Sequence, residues 1–402
     1  MNGEEEEDPD HSSYCYVGLS TGIKNGESKN FSIKTKGEKD MEIAVFNLDG
    51  TFFAISNSCI HKGGPLSKGF LDGDIITCPW HGWKYSVKTG KSPHEGGDSI
   101  NSYEVKIMEN KIYVNPIPST VGKRIFQPHG SYLKLKKSVD DYLIHKSSDN
   151  VLPVDDKKIR ILGISTTNSN DNIAPRQSTS EDALRFALGY AKKDLGAETV
   201  MIKLRELEFN HCEGYYSRNA NACIFPCSIS ERDSEDQMIQ IYEKVILWAD
   251  VVLIATPIRW GSASSLYYKM VQRMNCVQNQ VITHNRYLIR DKVAAFIITG
   301  GQDNVQHVAG ELMSFWSQTG FVFGKFPFVG WTRGWYAEDM ENNHGAMTSS
   351  LKGDIDTSKE EGKNSKMYKD LLKTINGAFE MALLVKRNRY DQKVLSKLNN
   401  KQ

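Results

Sequence analysis

The sequence predicts a multidomain protein with a small all-β domain at the N-terminus and an α/β domain of the doubly wound parallel-sheet type at the C-terminus. Residues 14–118 run as short alternating segments broken by turn residues. From Lys158 the texture changes to apolar strands separated by helical stretches. The 402 residues, of ordinary apolar and charged content, are enough for two or three proper cores.

Taken in order, residues 1–13 are acidic and serine-rich and read as a disordered tail. Within 14–118, Glu42 to Leu48 alternates and is closed by Asp49-Gly50, a dipeptide suited to the positive φ angles of a two-residue hairpin. A second hairpin is predicted where Glu109-Asn110-Lys111 separates Val105-Lys106-Ile107 from Ile112-Tyr113-Val114. Residues 119–157 mix Lys, Asp and Ser with scattered apolar residues and read as a linker holding a short helix near Ser138 to His145. In 158–386 the buried strands are expected at Ile159 to Ile164, Thr199 to Leu204, Val251 to Ala255 and Val293 to Ile298. Helices are expected at Glu181 to Asp194, Ser234 to Trp248, Ser264 to Cys276, Val305 to Ser317 and Met367 to Val385. Residues 387–402 read as a solvated tail. Ligands of such sheets sit outside the carboxyl ends of the strands, which singles out the loops at 165–180, 256–264 and 299–304.

The chemistry of the first domain centres on Cys59-Ile60-His61 and, sixteen residues later, Cys78-Pro79-Trp80-His81. Two thiolates can hold one iron and two neutral imidazoles the other iron of a 2Fe-2S cluster. Zinc also takes Cys and His, but its finger sites use Cys-X-X-Cys with a paired His motif rather than two mixed pairs. The flanking Lys62-Gly63-Gly64-Pro65-Leu66 and Gly82-Trp83-Lys84-Tyr85 resemble the cluster-binding loops of Rieske ferredoxins and Rieske oxygenases. That resemblance implies Cys59, His61, Cys78 and His81 as ligands. The quinol-oxidising type carries an extra cysteine in each loop, and these loops have none, which points to the ferredoxin type. Trp83 stands where high-potential relatives place a serine that donates to a cluster sulfide. Without that bond the potential is expected in the lower half of the roughly −150 to +300 mV Rieske span, with Tyr85 a candidate donor.

In the second domain the first loop carries Ser165-Thr166-Thr167-Asn168-Ser169 and Pro175-Arg176-Gln177-Ser178-Thr179-Ser180, leading into a helix. Hydroxyls at a helix N-terminus suit an anion, while Ser178 with Glu181 also fits a capping box, and the loop alone does not choose. Neither dinucleotide nor P-loop glycine patterns follow this strand. The run from Ala249 to Ser262, with Thr256-Pro257-Ile258-Arg259-Trp260-Gly261, resembles the isoalloxazine loop of flavodoxin-like NAD(P)H-dependent FMN reductases, a family that includes quinone reductases and iron-sulfur flavoproteins. By that resemblance, noncovalent FMN places its phosphate at Ser165, Arg176, Ser178, Thr179 and Ser180. Its ring meets Thr256, Pro257, Ile258, Arg259, Trp260, Gly261, Thr299, Gly300, Gly301 and Gln302. Arg259 stands where the family often has Tyr, and is read either as a cation beside reduced flavin or a nicotinamide phosphate, or as an exposed arginine packed on Trp260.

Cys212, Cys223 and Cys227 fall where iron-sulfur flavoproteins carry a compact four-cysteine motif, but with looser spacing. They read either as a second metal site completed by His211 or Cys276, or as free thiols. The segment Trp331 to Asn364, with Trp335, Tyr336 and His344, reads as a lid that shields a flavin face or docks a nicotinamide, or as a surface loop. A net charge of +1 gives no reason to expect nucleic acid, no apolar run is long enough to span a membrane, and the acidic N-terminus does not resemble a secretion signal. A cytoplasmic location is expected.

Together the resemblances imply an NAD(P)H-dependent FMN oxidoreductase that takes NADPH or NADH, passes electrons from FMN to the fused 2Fe-2S cluster, and hands them to an acceptor protein or small molecule. Homo-oligomers are common in that family. Hydride transfer needs no acid-base side chain, so no catalytic residue is assigned. Two other readings stay open at this level: a cluster-fed flavoprotein that reduces a quinone or similar acceptor, and a non-catalytic carrier or redox sensor.

Overall fold

The computed structural model describes residues 14–34, 40–93, 97–147, 158–169, 178–300, 304–332 and 366–388. The chain divides into two compact units, residues 1–128 with 214–222, and residues 129–213 with 223–402.

The first unit is built on nine strands: β1 (Cys15–Leu19), β2 (Ser28–Ile33), β3 (Met41–Leu48), β4 (Thr51–Ser56), β5 (Phe70–Asp72), β6 (Ile75–Thr77), β7 (Lys84–Ser86), β8 (Ser102–Met108) and β9 (Lys111–Thr120). Six form an antiparallel sheet in the order β1-β9-β8-β4-β3-β2, and β5-β6-β7 form a small meander. Both predicted hairpins close with two residues at positive φ, Asp49 and Gly50, then Glu109 and Asn110. Lys111 is already in β9, paired with Met108. Because side chains alternate across a strand, β3 feeds two cores. Ile43 and Val45 pack with Ile33, Ala54, Tyr103, Ile112 and Val114. Ala44 and Phe46 face the other way, into a core shared by Ile55, Leu66, Ile76, Tyr85 and the thiols of Cys59 and Cys78. The two candidate thiol ligands are therefore part of a hydrophobic core, held by the packing that holds the sheet.

The second unit is a five-stranded parallel sheet of β10 (Arg160–Ser165), β11 (Glu198–Lys203), β12 (Val251–Pro257), β13 (Val293–Gly300) and β14 (Val322–Thr332). The order β11-β10-β12-β13-β14 is the flavodoxin-like 2-1-3-4-5, whose chain reverses direction across the sheet between β10 and β12. Every residue of β12 and β13 is buried, as the continuous apolar runs require when helices cover both faces. Burying Phe296, Ile297 and Ile298 contributes about 1.5–3 kcal/mol each. The longer helices are α1 (Gly130–Ser147), α2 (Thr179–Lys193), α3 (Ser265–Arg273), α4 (Asn275–His284), α5 (Val305–Gln318) and α6 (Lys366–Asn388). A Cβ on Gly163 would stand 2.7 Å from the Leu188 side chain, so glycine lets α2 lie close on β10.

Four expectations need correction. The fifth strand, β14, was not among the predicted strands. In the described part of the expected linker, β9 runs to Thr120 and α1 spans 18 residues rather than a short helix near Ser138 to His145, while residues 148–157 lie outside the described residues. Helix α1 is tied to the second unit by His129 Nε2 with the Ser230 carbonyl at 2.6 Å and by Arg286 to Asp140 at 2.7 Å. The helix predicted from Ser234 is a short α segment, Met238–Tyr242, running into a π-helical turn, Glu243–Trp248. The helix predicted from Ser264 breaks at Met274 into α3 and α4.

Between β11 and β12 the chain is held by a buried ion pair. Arg273 binds both carboxylate oxygens of Asp236, at 2.6 and 3.0 Å, and also the Ser230 hydroxyl and the Asn210 carbonyl. Both charged side chains are fully out of solvent. Asp236 also accepts from the Asn210 N–H and the Ser230 hydroxyl, while Arg273 Nε makes no hydrogen bond among the described residues, so removing either charge would leave the other buried and uncompensated.

Candidate metal centre and flavin site

In the first unit, the two loops around Cys59 and Cys78 fold alike. Gly63 N donates to the Cys59 carbonyl at 2.8 Å, and Gly82 N donates to the Cys78 carbonyl at 3.1 Å. Gly63 and Gly82 both need positive φ, at 79° and 72°, to turn the chain back after each histidine. The folded loops bring Cys59, His61, Cys78 and His81 together, all buried. The imidazole centroids of His61 and His81 lie 4.7 Å apart. Hydrogen bonding between the Cys59 and Cys78 thiols pushes the first up and draws the second down, as expected of two buried sulfurs sharing one proton. Tyr85 places its hydroxyl 3.5 Å from Cys59 Sγ. Burial, then the neighbouring Cys59, raises the phenol pKa and keeps it a donor.

A 2Fe-2S cluster fits this set. A Cβ on Gly64 would lie 2.8 Å from Cys78 Sγ and 3.0 Å from the Trp80 ring, so the backbone there is drawn against the sulfur. His81 Nε2 donates to the Ala222 carbonyl at 2.7 Å, which leaves Nδ1 as the ligating nitrogen. Among the described residues no group of three or more metal-ligating side chains is placed to hold a single ion. Two protein ligands per iron is the cluster's own requirement. Trp83 stacks on His61, with centroids 4.6 Å apart and planes 11° from parallel, so it covers a ligand face.

In the second unit, the flavin candidates gather at the carboxyl ends of β10, β12 and β13. Ser264 caps α3, accepting from Tyr267 N at 3.3 Å, and its hydroxyl reaches the Thr166 carbonyl at 2.6 Å and hydroxyl at 2.8 Å. Ser264 N in turn donates to Thr256 Oγ1 at 3.2 Å. This residue, absent from the sequence-based candidates, fixes the first two loops against each other; an N-cap serine before α3 was the available signal. Thr166, Thr167, Thr179 and Ser180 are buried at the mouth of the sheet, and Ser178 and Ser180 hydroxyls lie 3.1 Å apart at the start of α2. The capping-box alternative does not form, since Ser178 makes no side-chain cap. Glu181 instead takes the Ser165 hydroxyl at 3.3 Å, Arg185 at 2.6 Å, and Arg205. Burial alone would raise its carboxyl; the two guanidiniums reverse that and hold it at about 2.

The 256–264 loop closes as a tight turn, with Arg259 N donating to the Ser262 carbonyl at 2.8 Å and Ser262 N to the Arg259 carbonyl at 3.1 Å. Trp260 sits at its tip with φ 53° and its indole fully exposed, available as a platform. Pro257 and Ile258 are buried beneath it. Arg259 is exposed, with Nη1 on the Ile258 carbonyl at 3.0 Å. A Cβ on Gly300 would stand 2.8 Å from the Ile258 side chain, so glycine lets β13 end against this loop, where Ile258 N donates to the Thr299 carbonyl at 2.7 Å. FMN fits a site of buried hydroxyls, a helix N-terminus and close backbone. Arg176, Gly301, Gln302, and the segment 333–364 with Trp335, Tyr336 and His344 lie outside the described residues. Cys223, Cys227 and Cys276 are buried and Cys212 is exposed, and none of the four is in a disulfide.

Comparison with known proteins finds two family matches, a Rieske [2Fe-2S] domain over residues 13–104 and an NADPH-dependent FMN reductase over residues 159–330. Human apoptosis-inducing factor 3 is 34% identical over 107 residues, covering 26% of this chain and 17% of that protein, so the chain spans only a small part of that relative. The 3-phenylpropionate/cinnamic acid dioxygenase ferredoxin subunit of Photorhabdus laumondii subsp. laumondii is 33% identical over 81 residues, covering 20% of this chain and 77% of the ferredoxin. A solved structure of RosB with a bound intermediate, 8-demethyl-8-formylriboflavin-5'-phosphate, is 17% identical, covers 60% of this chain and 87% of its own, and has a TM-score of 0.42. Among the described residues, no helix is long and apolar enough to cross a membrane.

Proposed function

We propose that this chain, which belongs to the Rieske [2Fe-2S] family over residues 13–104 and to the NADPH-dependent FMN reductase family over residues 159–330, oxidises NADPH at FMN and passes the electrons singly to its own cluster and on to an acceptor. The observation that carries the reading is the presence, in one chain, of buried Cys59, His61, Cys78 and His81 brought together by two loops and of a sheet in flavodoxin-like order with hydroxyl-rich loops at the carboxyl ends of β10, β12 and β13. FMN supplies the conversion between a two-electron hydride and single electrons, and the cluster stores one electron at a time.

The chain's own residues bind and tune. Thr166, Thr167, Ser178, Thr179 and Ser180, with the start of α2, hold the phosphate. Thr256, Pro257, Ile258, Trp260, Gly261, Thr299 and Gly300 shape the ring site, and Ser264 keeps the loops in register. Ser165 serves the phosphate side indirectly, because its hydroxyl is on Glu181. Arg259, exposed beside the ring position, pairs with a nicotinamide phosphate. Cys59 and Cys78 hold one iron, His61 and His81 the other. Tyr85 donates toward the Cys59 sulfur, and Trp83 excludes water from His61. The match to a dioxygenase ferredoxin subunit favours an oxygenase-type protein as acceptor.

The test is steady-state oxidation of NADPH and NADH by the flavin- and cluster-loaded protein, with a one-electron acceptor protein present. NADPH oxidation that reduces the acceptor protein in the native protein, and that in Cys78→Ser proceeds only when a small quinone is added to take the two electrons from the flavin, supports the route through the cluster. Equal acceptor reduction by Cys78→Ser refutes it.

A further inference from the structure

The two ligand histidines are both out of solvent, 3% exposed for His61 and 1% for His81, and different parts of the chain cover them. His61 is covered by Trp83, which Phe126 supports edge-on at 5.3 Å. His81 is covered by residues 214–222, a stretch distant in sequence that belongs to the same compact unit as the cluster loops. Three independent contacts place it there. The Tyr215 ring meets the His81 ring edge-on at 5.0 Å. The Ala222 carbonyl accepts from His81 Nε2 at 2.7 Å. Arg218 Nη1 donates to the carbonyl of Pro79, two residues before His81, at 3.2 Å. The stretch is internally formed, with Gly214 left-handed at φ 66°, a helical turn Tyr215–Arg218 and a 3-10 turn Ala220–Ala222. Its ends are peptide-bonded to Glu213 and Cys223, and Cys223 is fixed in the flavin-binding unit by Asn275 Nδ2 on its sulfur at 3.5 Å and Asn279 Nδ2 on its carbonyl at 2.8 Å.

We propose that residues 214–222 are a built-in cap on the histidine edge of the cluster: they close the His81 edge to outside redox proteins, so an outside acceptor must approach another face. The proposal rests on the electron-transfer reading above and specifies its partner surface. A docked protein needs the imidazole edge bare, because electron transfer weakens steeply with separation; here the ring edge is occupied by Tyr215 and its only outward nitrogen by a carbonyl. The same hydrogen bond fixes the tautomer that leaves Nδ1 for iron. One electron moves per exchange, lost by the donor and gained by the acceptor, with no bond made or broken.

The test uses full-length, cluster-loaded protein, reduced with dithionite and mixed with ferric cytochrome c, which takes one electron per cluster. Amide hydrogen exchange of residues 214–222 is read on the same samples. Both measurements count the open population of the cap. The native protein is expected to protect these amides and to react slowly with cytochrome c. Tyr215→Ala and Arg218→Ala are each expected to reduce protection and raise the cytochrome c rate by the same factor, about tenfold for each 1.4 kcal/mol of closing energy lost. Should Tyr215→Ala fail to retain the cluster, Arg218→Ala, altered at an exposed side chain, supplies the reading. Unprotected amides in the native protein, or a cap that opens without a rise in the cytochrome c rate, would overturn the proposal. Neither readout needs nicotinamide or flavin turnover, so failure of the reductase reading is told apart from failure of this one.

Discussion

Replacing Tyr85 by Phe removes one hydroxyl from the wall of the cluster pocket and almost nothing else. The ring is fully buried in the core around Ala44, Phe46 and Ile55, so the phenylalanine keeps the packing. What is lost is the contact between the hydroxyl and Cys59 Sγ at 3.5 Å. A donor to a cluster sulfur stabilises the reduced state more than the oxidised one, because reduction adds negative charge to the sulfurs. A net hydrogen bond contributes about 0.5–1.5 kcal/mol, and for one electron about 1.4 kcal/mol corresponds to 59 mV. Tyr85→Phe should therefore lower the cluster potential by about 20–60 mV, with iron content and visible circular dichroism unchanged. The assay is a redox titration of the loaded protein followed by electron paramagnetic resonance of the reduced cluster. A potential that stays put or rises with the cluster intact would refute the assignment of Tyr85 as a donor to the bound cysteine, and with it the orientation of this wall of the pocket.

Further outcomes follow from the same geometry. Gly64→Ala would push a methyl to 2.8 Å from Cys78 Sγ, so the isolated protein should lose most of its cluster iron while the parallel-sheet unit still binds flavin, read by iron and flavin content. Arg273→Met strands Asp236 as an unpaired buried charge and should cost about 3–5 kcal/mol in denaturant unfolding. Glu181, held at about 2 against an ordinary 4.5, contributes stability that is complete above pH 4.5 and is lost as pH falls through that value toward about 2. Melting temperatures across that range should fall in the native protein and much less in Glu181→Gln. Arg259→Ala should raise the KM for NADPH several-fold while leaving that for NADH nearly unchanged; equal values for both coenzymes would remove Arg259 from phosphate recognition.

The features legible in the sequence are those written in local spacing. Cys59-X-His61 and Cys78-X2-His81 sit in tight turns, so neighbours in sequence are neighbours in space. The runs Val251 to Ala255 and Val293 to Ile298 could be read as parallel strands because burial on both faces demands unbroken apolar residues. Strand β14 escaped because it is an edge: its burial is mixed, Pro327 interrupts the apolar pattern, and Phe326 turns at φ 54° where the register with β13 shifts. Helix α1 was legible only near Ser138 to His145, because its lysine-rich sequence is weakly one-sided, with Tyr132, Leu135 and Val139 turned inward. At the sites, the role of Ser165 changed because Glu181, three residues into an expected cap, is taken by Arg205 from beyond β11. No local pattern announces Tyr215 and Ala222 on His81, or Arg218 on Pro79, since these contacts join positions more than 130 residues apart. Contacts of that separation are set by tertiary packing.

The central claim is that electrons enter as hydride at the flavin and leave singly through the cluster of the same chain. Anaerobic stopped-flow mixing of the loaded protein with NADPH and with NADH, following flavin bleaching and the cluster bands separately, tests it most directly. The account predicts flavin bleaching first, faster with NADPH, followed by cluster reduction at a rate independent of protein concentration. Cluster reduction that precedes flavin bleaching with a reduced ferredoxin as donor, with neither coenzyme reducing the flavin, would contradict it and reverse the direction of the current.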